Sequence, residues 1–458
     1  MSKLREKMKL YSENEDYKLY QGNMLDMLEA IQPESIDSII TDPPYELNFM
    51  GKGWDNSGIA FQPSTWQKCY EVLKPGGYLL AFGGSRTFHR IACAIEDAGF
   101  EIRDTIMWLY GSGFPKSQNI GKKYDKKMGN DREKIGEVKI GKTSLGDGSG
   151  WDTSQNMKDI KATGKIDITK GTSKFEGWGS SLKPSFEPII VARKPFKGSL
   201  VDNVIEYGVG GINIDECRVG NGTGNAKPKY EPNNKNNVYG KGLGGGDYEN
   251  TNGRFPANTI LTYDETDFDE VCGGFPNTKS GVAVRHNSGG NTFGGNNKKP
   301  PMEDLGYNDS GSASRYFYCA KASKKDRDEG LDEFEEKEVR VLNATNPELE
   351  QKDDVSARFI TVKKNTHPTV KPTDLMQYLV RLVSPDGATI LDPFNGSGST
   401  GKAVMYENRE RNKNYKYIGI ELTEEYLPIA KARIEYVCKL NEEELKEMQM
   451  TIFDILEE

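Results

Sequence analysis

Short apolar stretches recur along the chain, and most of them are separated by segments with helical spacing. Several, such as YLLAF at 78–82 and PIIVA at 188–192, are continuously apolar, which is typical of strands buried on both faces. A sheet covered by helices is therefore expected. The predicted strands are Tyr17–Tyr20, Ser35–Thr41, Gly77–Phe82, Ile102–Leu109, Glu187–Ala192, Ala388–Asp392 and Lys416–Glu421.

The segments between these strands end at strong helix stop signals. A predicted helix over Thr65–Leu73 is followed by Lys-Pro-Gly-Gly, and one over Arg86–Asp97 by Ala-Gly. Further helices are predicted at Thr373–Val383, after the glycine-rich segment near 400, and at Thr423–Leu440. Seven strands with intervening helices predict a doubly wound α/β fold.

Two long regions do not show this alternation of strands and helices: Gly111–Pro184 and Asn203–Asn365. The second contains Gly/Asn-rich patches at 219–253 and 287–297. Loops of this length inside a compact protein are usually functional insertions or disordered segments. The sheet is therefore expected to be assembled from both ends of the chain, with the insertions projecting from one side.

Composition narrows the class of protein. The 458 residues suggest two or three domains, no apolar run approaches the ~18 residues of a membrane span, and the N-terminus does not resemble a secretion signal. The six cysteines are scattered without a Cys-x-x-Cys pair, which disfavours a disulfide framework and a zinc ribbon. We expect a soluble, cytoplasmic protein with no membrane partner.

Charge is distributed unevenly along the chain, although the net charge is −8. Residues 116–194 contain 17 lysines and arginines against 10 acidic residues, whereas 421–458 contain 4 against 11. The basic stretch permits nucleic-acid binding. Four lysines could contact phosphates, although they could equally belong to a solvated loop: Lys122, Lys123, Lys126 and Lys127.

A glycine loop, Asn395–Gly401, follows the predicted strand that ends in Asp392-Pro-Phe394. Its glycines match the spacing of nucleotide-binding loops, and Glu421 closes the next strand, where an acid can accept hydrogen bonds from ribose hydroxyls. The inserted Asp-Pro-Phe suggests a pocket floor rather than a phosphate cradle. Carboxylates such as Glu421 and Asp392 suit the sulfonium and ribose of S-adenosylmethionine better than a pyrophosphate.

A second motif, the Asp-Pro-Pro-Tyr corner at Thr41–Tyr45, follows another predicted strand. Pro43 and Pro44 stiffen the backbone and remove two N–H donors, so a carboxylate and an aromatic ring lie on one rigid turn. Asp42 and the Pro43 carbonyl can accept the two hydrogens of an exocyclic amine, and Tyr45 can stack on its ring. The alternative is a simple turn in which Asp42 is a cap.

Together, TDPPY at 41–45 and DPFNGSG at 392–398 resemble the amino-methylating DNA methyltransferases of the permuted β type, in which the catalytic motif precedes the S-adenosylmethionine loop. The resemblance spans roughly residues 17–440. Weaker stretches look like prophage-type site-specific DNA methyltransferases, among them SGFPKS at 112–117, FEPIIVARKP at 186–195 and HPTVKP at 367–372.

The resemblance implies a Rossmann-like, seven-stranded methyltransferase sheet with permuted motif order and large insertions that form a target-recognition region. Its catalytic positions fall on Asp42, Pro43, Pro44 and Tyr45. Its cofactor-binding positions fall on Thr369, Lys371, Asp392, Phe394, Gly396, Gly398 and Glu421. Asn23 stands where an aspartate is usual, and could contact an adenine edge or simply cap a turn or helix.

The domain organisation expected from this resemblance has six parts. Residues 1–112 form the first part of the catalytic core, 113–183 a basic insertion that contacts DNA, and 184–200 the last core strand. Residues 201–365 form the target-recognition region, 366–440 the S-adenosylmethionine-binding part, and 441–458 an acidic helix.

The predicted reaction is methyl transfer from S-adenosylmethionine to adenine N6 in double-stranded DNA after base flipping. Asp at the first motif position favours adenine, and cytosine N4 is the alternative. The rivals are a nicotinamide-dependent oxidoreductase, a glutamine-side-chain methyltransferase with a related Pro-Pro-Tyr corner, and an inactive DNA-binding module. A homodimer and a cognate restriction endonuclease are further expected partners. No metal is expected, because His367 has no obvious ligand partner and suits a packing role.

Overall fold

In the computed structural model, ten strands of the described residues form one sheet. The structure describes residues 9–47, 53–111, 117–139, 165–223, 252–263, 275–279, 283–285, 302–304, 310–321, 323–341 and 359–445. The strands are β1 Lys9–Glu13, β2 Tyr17–Gln21, β3 Ile36–Thr41, β4 Leu73–Phe82, β5 Glu101–Tyr110, β6 Phe186–Arg193, β7 Thr259–Tyr263, β8 Tyr318–Lys321, β9 Thr389–Asp392 and β10 Lys416–Glu421.

The order across the sheet is β1-β2-β10-β9-β3-β4-β6-β5-β7-β8. The seven strands predicted from the sequence are the adjacent set from β2 to β5, so the seven-stranded α/β prediction is confirmed. Strand β6 runs antiparallel to both of its neighbours, whereas β10, β9, β3 and β4 are parallel. The start of β6 therefore lies at the same edge of the sheet as the carboxyl ends of β3 and β4.

Helices cover both faces of the sheet, as continuously apolar strands require. Buried side chains of α1, α2 and α3 pack on one face, and those of α7, α8 and α9 pack on the other. The helices are α1 Met24–Leu28, α2 Pro63–Val72, α3 Phe88–Asp97, α4 Ile120–Met128, α5 Leu200–Tyr207, α6 Lys324–Asp328, α7 Thr373–Val383, α8 Ser399–Arg411 and α9 Leu427–Lys439.

The predicted helix over 423–440 begins with a separate 3-10 turn, Glu424–Tyr426, before α9. Other 3-10 turns lie at Gly53–Asn56, Ile59–Phe61, Asp215–Cys217 and Ala313–Tyr316. None of the helices in the described ranges is long and apolar enough to cross a membrane.

The region 201–365 contributes directly to the core sheet, which the sequence did not predict. Strand β7 pairs in parallel with β5, and β8 pairs in parallel with β7. Both strands are only four or five residues long, and Thr259–Tyr263 interrupts its apolar run with threonine. The sequence of such short, mixed segments gives no clear strand signal, and they form strands by pairing with a neighbour in the sheet.

The insertions also form short strand pairs outside the main sheet: Glu133–Lys139 with Lys165–Lys170, Val219–Thr223 with Asn252–Arg254, Asn277–Lys279 with Ser310–Ser312, Ala283–Arg285 with Met302–Asp304, and Lys337–Val341 with Phe359–Lys363. Most of the Gly/Asn-rich patches, and the predicted acidic helix beyond residue 445, lie outside the described residues.

Candidate active site

The Asp-Pro-Pro-Tyr corner and the glycine loop meet at one edge of the sheet. Strands β3 and β9 are parallel neighbours, with Ser38 opposite Ile390, so both motifs begin at their carboxyl ends. The Thr41 hydroxyl donates to Asp392 Oδ1 at 2.7 Å, which ties the two strand ends together. Two segments about 350 residues apart in the chain therefore form one site.

Asp42 is held by an ion pair with a buried lysine and lies beside the Tyr45 hydroxyl. Its Oδ2 accepts a hydrogen bond from Lys371 Nζ at 2.6 Å, and Lys371 is only 7% exposed. Asp42 Oδ1 is buried and has no hydrogen-bond partner. A buried carboxylate oxygen without a partner is costly for a folded protein and marks a position at which a donor can bind.

Tyr45 is fixed at both its backbone and its hydroxyl group. The hydroxyl donates to Glu187 Oε2 at 2.7 Å, and the Tyr45 carbonyl accepts from the Thr87 hydroxyl at 2.8 Å. Gly84 lies against the ring, and a Cβ there would come within 3.1 Å of it. The aromatic ring of the corner is therefore held in one orientation.

Glu187 is a member of the site that sequence reasoning placed only in a strand. It lies near the start of β6, within 3.4 Å of Lys371 Nζ, and it accepts a second hydroxyl from Tyr110 at 3.3 Å. The sequence signal that could have identified Glu187 is a carboxylate near the start of an apolar strand. Its meaning depended on β6 being antiparallel, because only that direction brings its start to the motif edge.

Two carboxylates, those of Asp42 and Glu187, share the ammonium of Lys371. Burial and these charges together shift the pKa values of Asp42 and Lys371. Burial raises the pKa of Asp42, Lys371 opposes this and Glu187 adds to it. Burial alone would lower the pKa of Lys371, but Asp42 and Glu187 raise it above its usual range. Lys371 therefore remains an ammonium ion, and two carboxylate groups face it.

Glu421 lies opposite the glycine loop, as predicted. Its carboxylate accepts the backbone N–H of Gly396 and of Thr423, each at 2.7 Å, and burial raises its pKa. Hydrogen bonds from the Thr423 side chain and the Leu422 N–H also oppose that rise in pKa, so the protein itself supplies several donors to this carboxylate. Phe394, beside the loop, packs against Trp66 with a centroid distance of 6.4 Å.

Gly396 and Gly398 both have positive φ, of 51° and 74°. A side chain at Gly396 would meet the His367 ring at 3.0 Å, and one at Gly398 would meet the backbone of α9 at Ala430, 2.9 Å away. The glycines are therefore required by close packing as well as by the turn itself.

Other predicted site residues make contacts within the protein. The oxygens of Asp392 accept from Thr41, Thr400 and the Phe394 N–H, and burial raises its pKa to about 6. Asp392 thus stabilises the end of β9 and the start of the loop that follows it. The ammonium of Lys371, expected at the methionine end of a cofactor pocket, lies on Asp42.

His367 contacts the backbone of Thr369. The Thr369 carbonyl bonds His367 Nδ1, and the His367 ring packs edge-on against Tyr426 at 4.5 Å. Burial lowers the pKa of His367 to about 3. Across the described ranges, no group of three or more His, Cys, Asp or Glu side chains could hold a metal ion.

Asn23 caps helix α1: its side-chain oxygen accepts the Leu25 N–H at 3.0 Å. This is one of its two predicted roles.

We expect Asn23→Ala to lower the free energy of unfolding by about 1 kcal/mol, as the loss of an N-cap does, with S-adenosylmethionine affinity unchanged within about twofold. Asn23→Asp, which preserves the cap, should restore stability. Calorimetric titration and denaturant unfolding measure both quantities, and a tenfold weaker affinity without destabilisation would support the adenine contact instead.

The four predicted DNA-contact lysines lie on α4, away from the corner in the sequence. Lys123, Lys126 and Lys127 are exposed and Lys122 is half-buried. The helix is anchored beneath them by buried Asp125, which pairs with Arg132, and Arg132 also bonds Glu176 at 2.8 Å. The helix thus exposes positively charged side chains, while these ion pairs fix its buried face.

The fold and the site together define an α/β protein with a carboxylate corner and a glycine loop side by side at the carboxyl edge of its sheet. The family model N6_N4_Mtase, described as DNA methylase, matches residues 36–432. The chain belongs to this DNA methylase family.

Among its relatives, Type II methyltransferase M.HpaI of Haemophilus parainfluenzae is 32% identical over 119 residues, which are 24% of this chain and 37% of that protein. Type II methyltransferase M2.LlaDCHI of Lactococcus lactis subsp. cremoris is 27% identical over 239 residues, which are 44% of this chain and 82% of that protein. The chain therefore spans little more than a third of the length of M.HpaI.

Solved structures also align with most of the chain at low identity. The PvuII DNA methyltransferase (cytosine-N4-specific) aligns with 98% of this chain and 94% of its own, at 13% identity and a TM-score of 0.39. The M1.HpyAVI–SAM complex aligns with 91% of this chain and 99% of its own, at 15% identity and a TM-score of 0.34.

Proposed function

We propose that the protein is a DNA methyltransferase that uses S-adenosylmethionine to methylate the exocyclic N6 of adenine. The observation that carries the proposal is Asp42 Oδ1, a buried carboxylate oxygen without a partner at the rigid corner. Its position beside the glycine loop, together with membership of the DNA methylase family, supports an amine acceptor next to a methyl donor. The order of the two motifs further supports the permuted β type.

The residues around the glycine loop fit S-adenosylmethionine. Glu421 would accept from the ribose at the edge of the glycine loop, and Gly396 and Gly398 let the backbone approach closely. Phe394 offers a ring at the base of the loop, and the Thr369 segment would close the methionine end. When bound, the cofactor supplies a methyl group activated by its sulfonium charge.

The corner would prepare the target amine for attack. The lone pair of an aromatic amine is delocalised into its ring, so it is a weak nucleophile. Asp42 Oδ1 and the Pro43 carbonyl would accept the two amino hydrogens, which favours a pyramidal nitrogen and turns its lone pair towards the methyl group. Tyr45 would stack on the base. The acceleration then comes from positioning and fixed charges.

A base inside a duplex cannot reach this corner, so we propose that it is flipped out of the helix before transfer. Adenine is favoured over cytosine because the motif begins with Asp42, as it tends to in adenine-modifying members of the family that it resembles. Double-stranded DNA is accordingly the proposed substrate.

The test is to express the protein in a host without DNA methylation and to analyse the nucleosides of its DNA by mass spectrometry. We expect 6-methyladenine at a defined sequence. Detection of 4-methylcytosine alone would refute the choice of base. DNA free of both products, with correctly folded protein that binds DNA, would favour the inactive DNA-binding module.

For the basic helix α4 we predict a contribution to DNA affinity rather than to sequence reading. Replacing Lys123, Lys126 and Lys127 with glutamine should weaken binding of cognate and unrelated duplexes equally. It should also reduce the slope of log K against log salt by about 3, because each phosphate contact releases about one counterion. Fluorescence anisotropy over a salt series measures this, with Lys431→Gln and Lys439→Gln on α9 as the control. An unchanged slope would mean that these lysines are only solvated.

A further inference from the structure

Glu187 connects three parts of the site that no other described side chain joins. It accepts the Tyr45 hydroxyl at 2.7 Å, approaches Lys371 Nζ at 3.4 Å, and accepts the Tyr110 hydroxyl at 3.3 Å. Lys371 in turn bonds Asp42 at 2.6 Å. A single carboxylate from β6 therefore touches the aromatic ring of the corner directly and the corner carboxylate through one ammonium ion.

The surroundings of Lys371 make the position of its charge important. The ammonium is almost fully buried, and aromatic rings surround it: the centroids of Phe82, Tyr45 and Trp108 lie 5.0, 5.3 and 5.9 Å away. Rings can stabilise a cation through their faces, but they do not neutralise it. With Asp42 as its only counter-ion, Lys371 would cancel the charge that the amine needs.

From this arrangement we infer that Glu187 is a positioning residue for methyl transfer, which acts through Lys371 and Tyr45 and leaves Asp42 with a usable negative charge. The inference rests on the proposed function. Because Glu187 shares the ammonium, the cluster of Asp42, Glu187 and Lys371 has a net charge of −1 when all three groups are ionised. That charge lies where the reaction develops a positive one.

The reaction itself shows why the extra charge matters. The amine lone pair forms the new N–C bond as the S–C bond breaks, and the electrons of that bond stay on sulfur as a neutral thioether. The nitrogen becomes positively charged until one of its protons leaves. Asp42 Oδ1, a buried acceptor of this corner without a hydrogen-bond partner, takes the proton and later releases it to solvent. Charge-sharing by Glu187 keeps Asp42 basic enough for that step.

The test uses Glu187→Gln, which retains size and an acceptor oxygen but removes the charge. We expect kcat to fall roughly 10- to 100-fold, while KM for DNA and the Kd for S-adenosylmethionine stay within about twofold. The acid limb of the kcat–pH profile should move to lower pH. Burial is the main cause of the raised pKa of Asp42; Lys371 opposes it, and Glu187 adds to it, so removal of Glu187 lowers that pKa.

Other titratable groups that face the cluster are Tyr45, Tyr110 on β5, Asp392 on β9 and His367, and all of them are unchanged in this variant. Tyr45→Phe separates the two routes, because it removes the hydroxyl contact and keeps the charges. It should lower kcat severalfold without moving the acid limb to lower pH, because the hydrogen bond from Tyr45 lowers the pKa of Asp42, whereas Glu187 raises it.

The matched control is Glu101→Gln, which breaks a carboxylate–cation pair with Arg193 at 2.9 Å at the opposite edge of the same sheet. It should leave kcat and the pH profile unchanged. An active wild-type protein whose Glu187→Gln variant retains both kcat and the position of the acid limb would overturn the inference and leave the proposed function standing. A wild-type protein that transfers no methyl group to any DNA would overturn both.

Discussion

Asp42→Asn is expected to reduce methyl transfer about 1,000-fold, equivalent to about 4 kcal/mol of transition-state stabilisation, while binding of S-adenosylmethionine remains within about twofold of wild type. An amide at this position has one acceptor oxygen and no negative charge, so it cannot both hold Lys371 and receive a proton from the amine. Glu187 remains beside Lys371, so the buried ammonium keeps a counter-ion and the fold survives. Transfer of radiolabelled methyl to DNA in single-turnover experiments measures the effect.

A control for this variant lies at the other end of the same strand. Asp37 on β3 also pairs with a lysine, Lys74, at 2.6 Å, and it accepts the Thr389 N–H at 2.8 Å. Asp37→Asn should lower stability without a comparable loss in kcat. Equal losses in both variants would mean that Asp42 acts only through stability, and full activity of Asp42→Asn would remove the catalytic assignment.

Gly398→Ala is the substitution with the largest expected effect on folding. The residue has φ of 74° and is the N-cap of α8, and a Cβ there would lie 2.9 Å from the Ala430 Cα and 3.1 Å from its carbonyl oxygen. The backbone strain costs about 1 kcal/mol and displacement of α9 about 2 kcal/mol more, so we expect a loss of about 3 kcal/mol in the free energy of unfolding. Displacement of the glycine loop should also weaken S-adenosylmethionine binding at least about tenfold.

Gly387 provides the matched control, because its φ of 75° is almost the same but no atom lies within 4 Å of an added Cβ. Gly387→Ala should therefore show the backbone strain alone, about 1 kcal/mol, with cofactor affinity unchanged. Denaturant unfolding and calorimetric titration of the two variants separate conformational strain from steric contact. Equal losses would show that contact with α9 has no role.

The sequence predicted the sheet well where strands were continuously apolar. All seven predicted strands are present and adjacent, and helix α7 has the predicted bounds. Strands β7 and β8 were missed because they are short and because their pairing partners lie about 150 and about 60 residues away in the chain, respectively. Local pattern has no information about such partners, and a short strand is stable only when it has one.

Among the site residues, the corner and the glycine loop were recognised because their chemistry depends on local backbone features: prolines that stiffen one turn and glycines that permit another. The contacts of individual side chains were not recognised from the sequence. Asp392 and Lys371 have carboxylate and ammonium groups suited to a cofactor, but in the structure Asp392 bonds two threonines and Lys371 bonds Asp42.

The sequence by itself therefore determined the class of fold, the two motifs and the chemical groups that they bring to the site. The tertiary structure decided which groups face each other. Glu187 joins Asp42 and Lys371 because β6 alone among the central strands runs antiparallel, which brings its first residues to the edge where its neighbours end. Strand direction and neighbour order are properties of the whole sheet, since hydrogen bonds between distant segments set them, and no local stretch of sequence contains them.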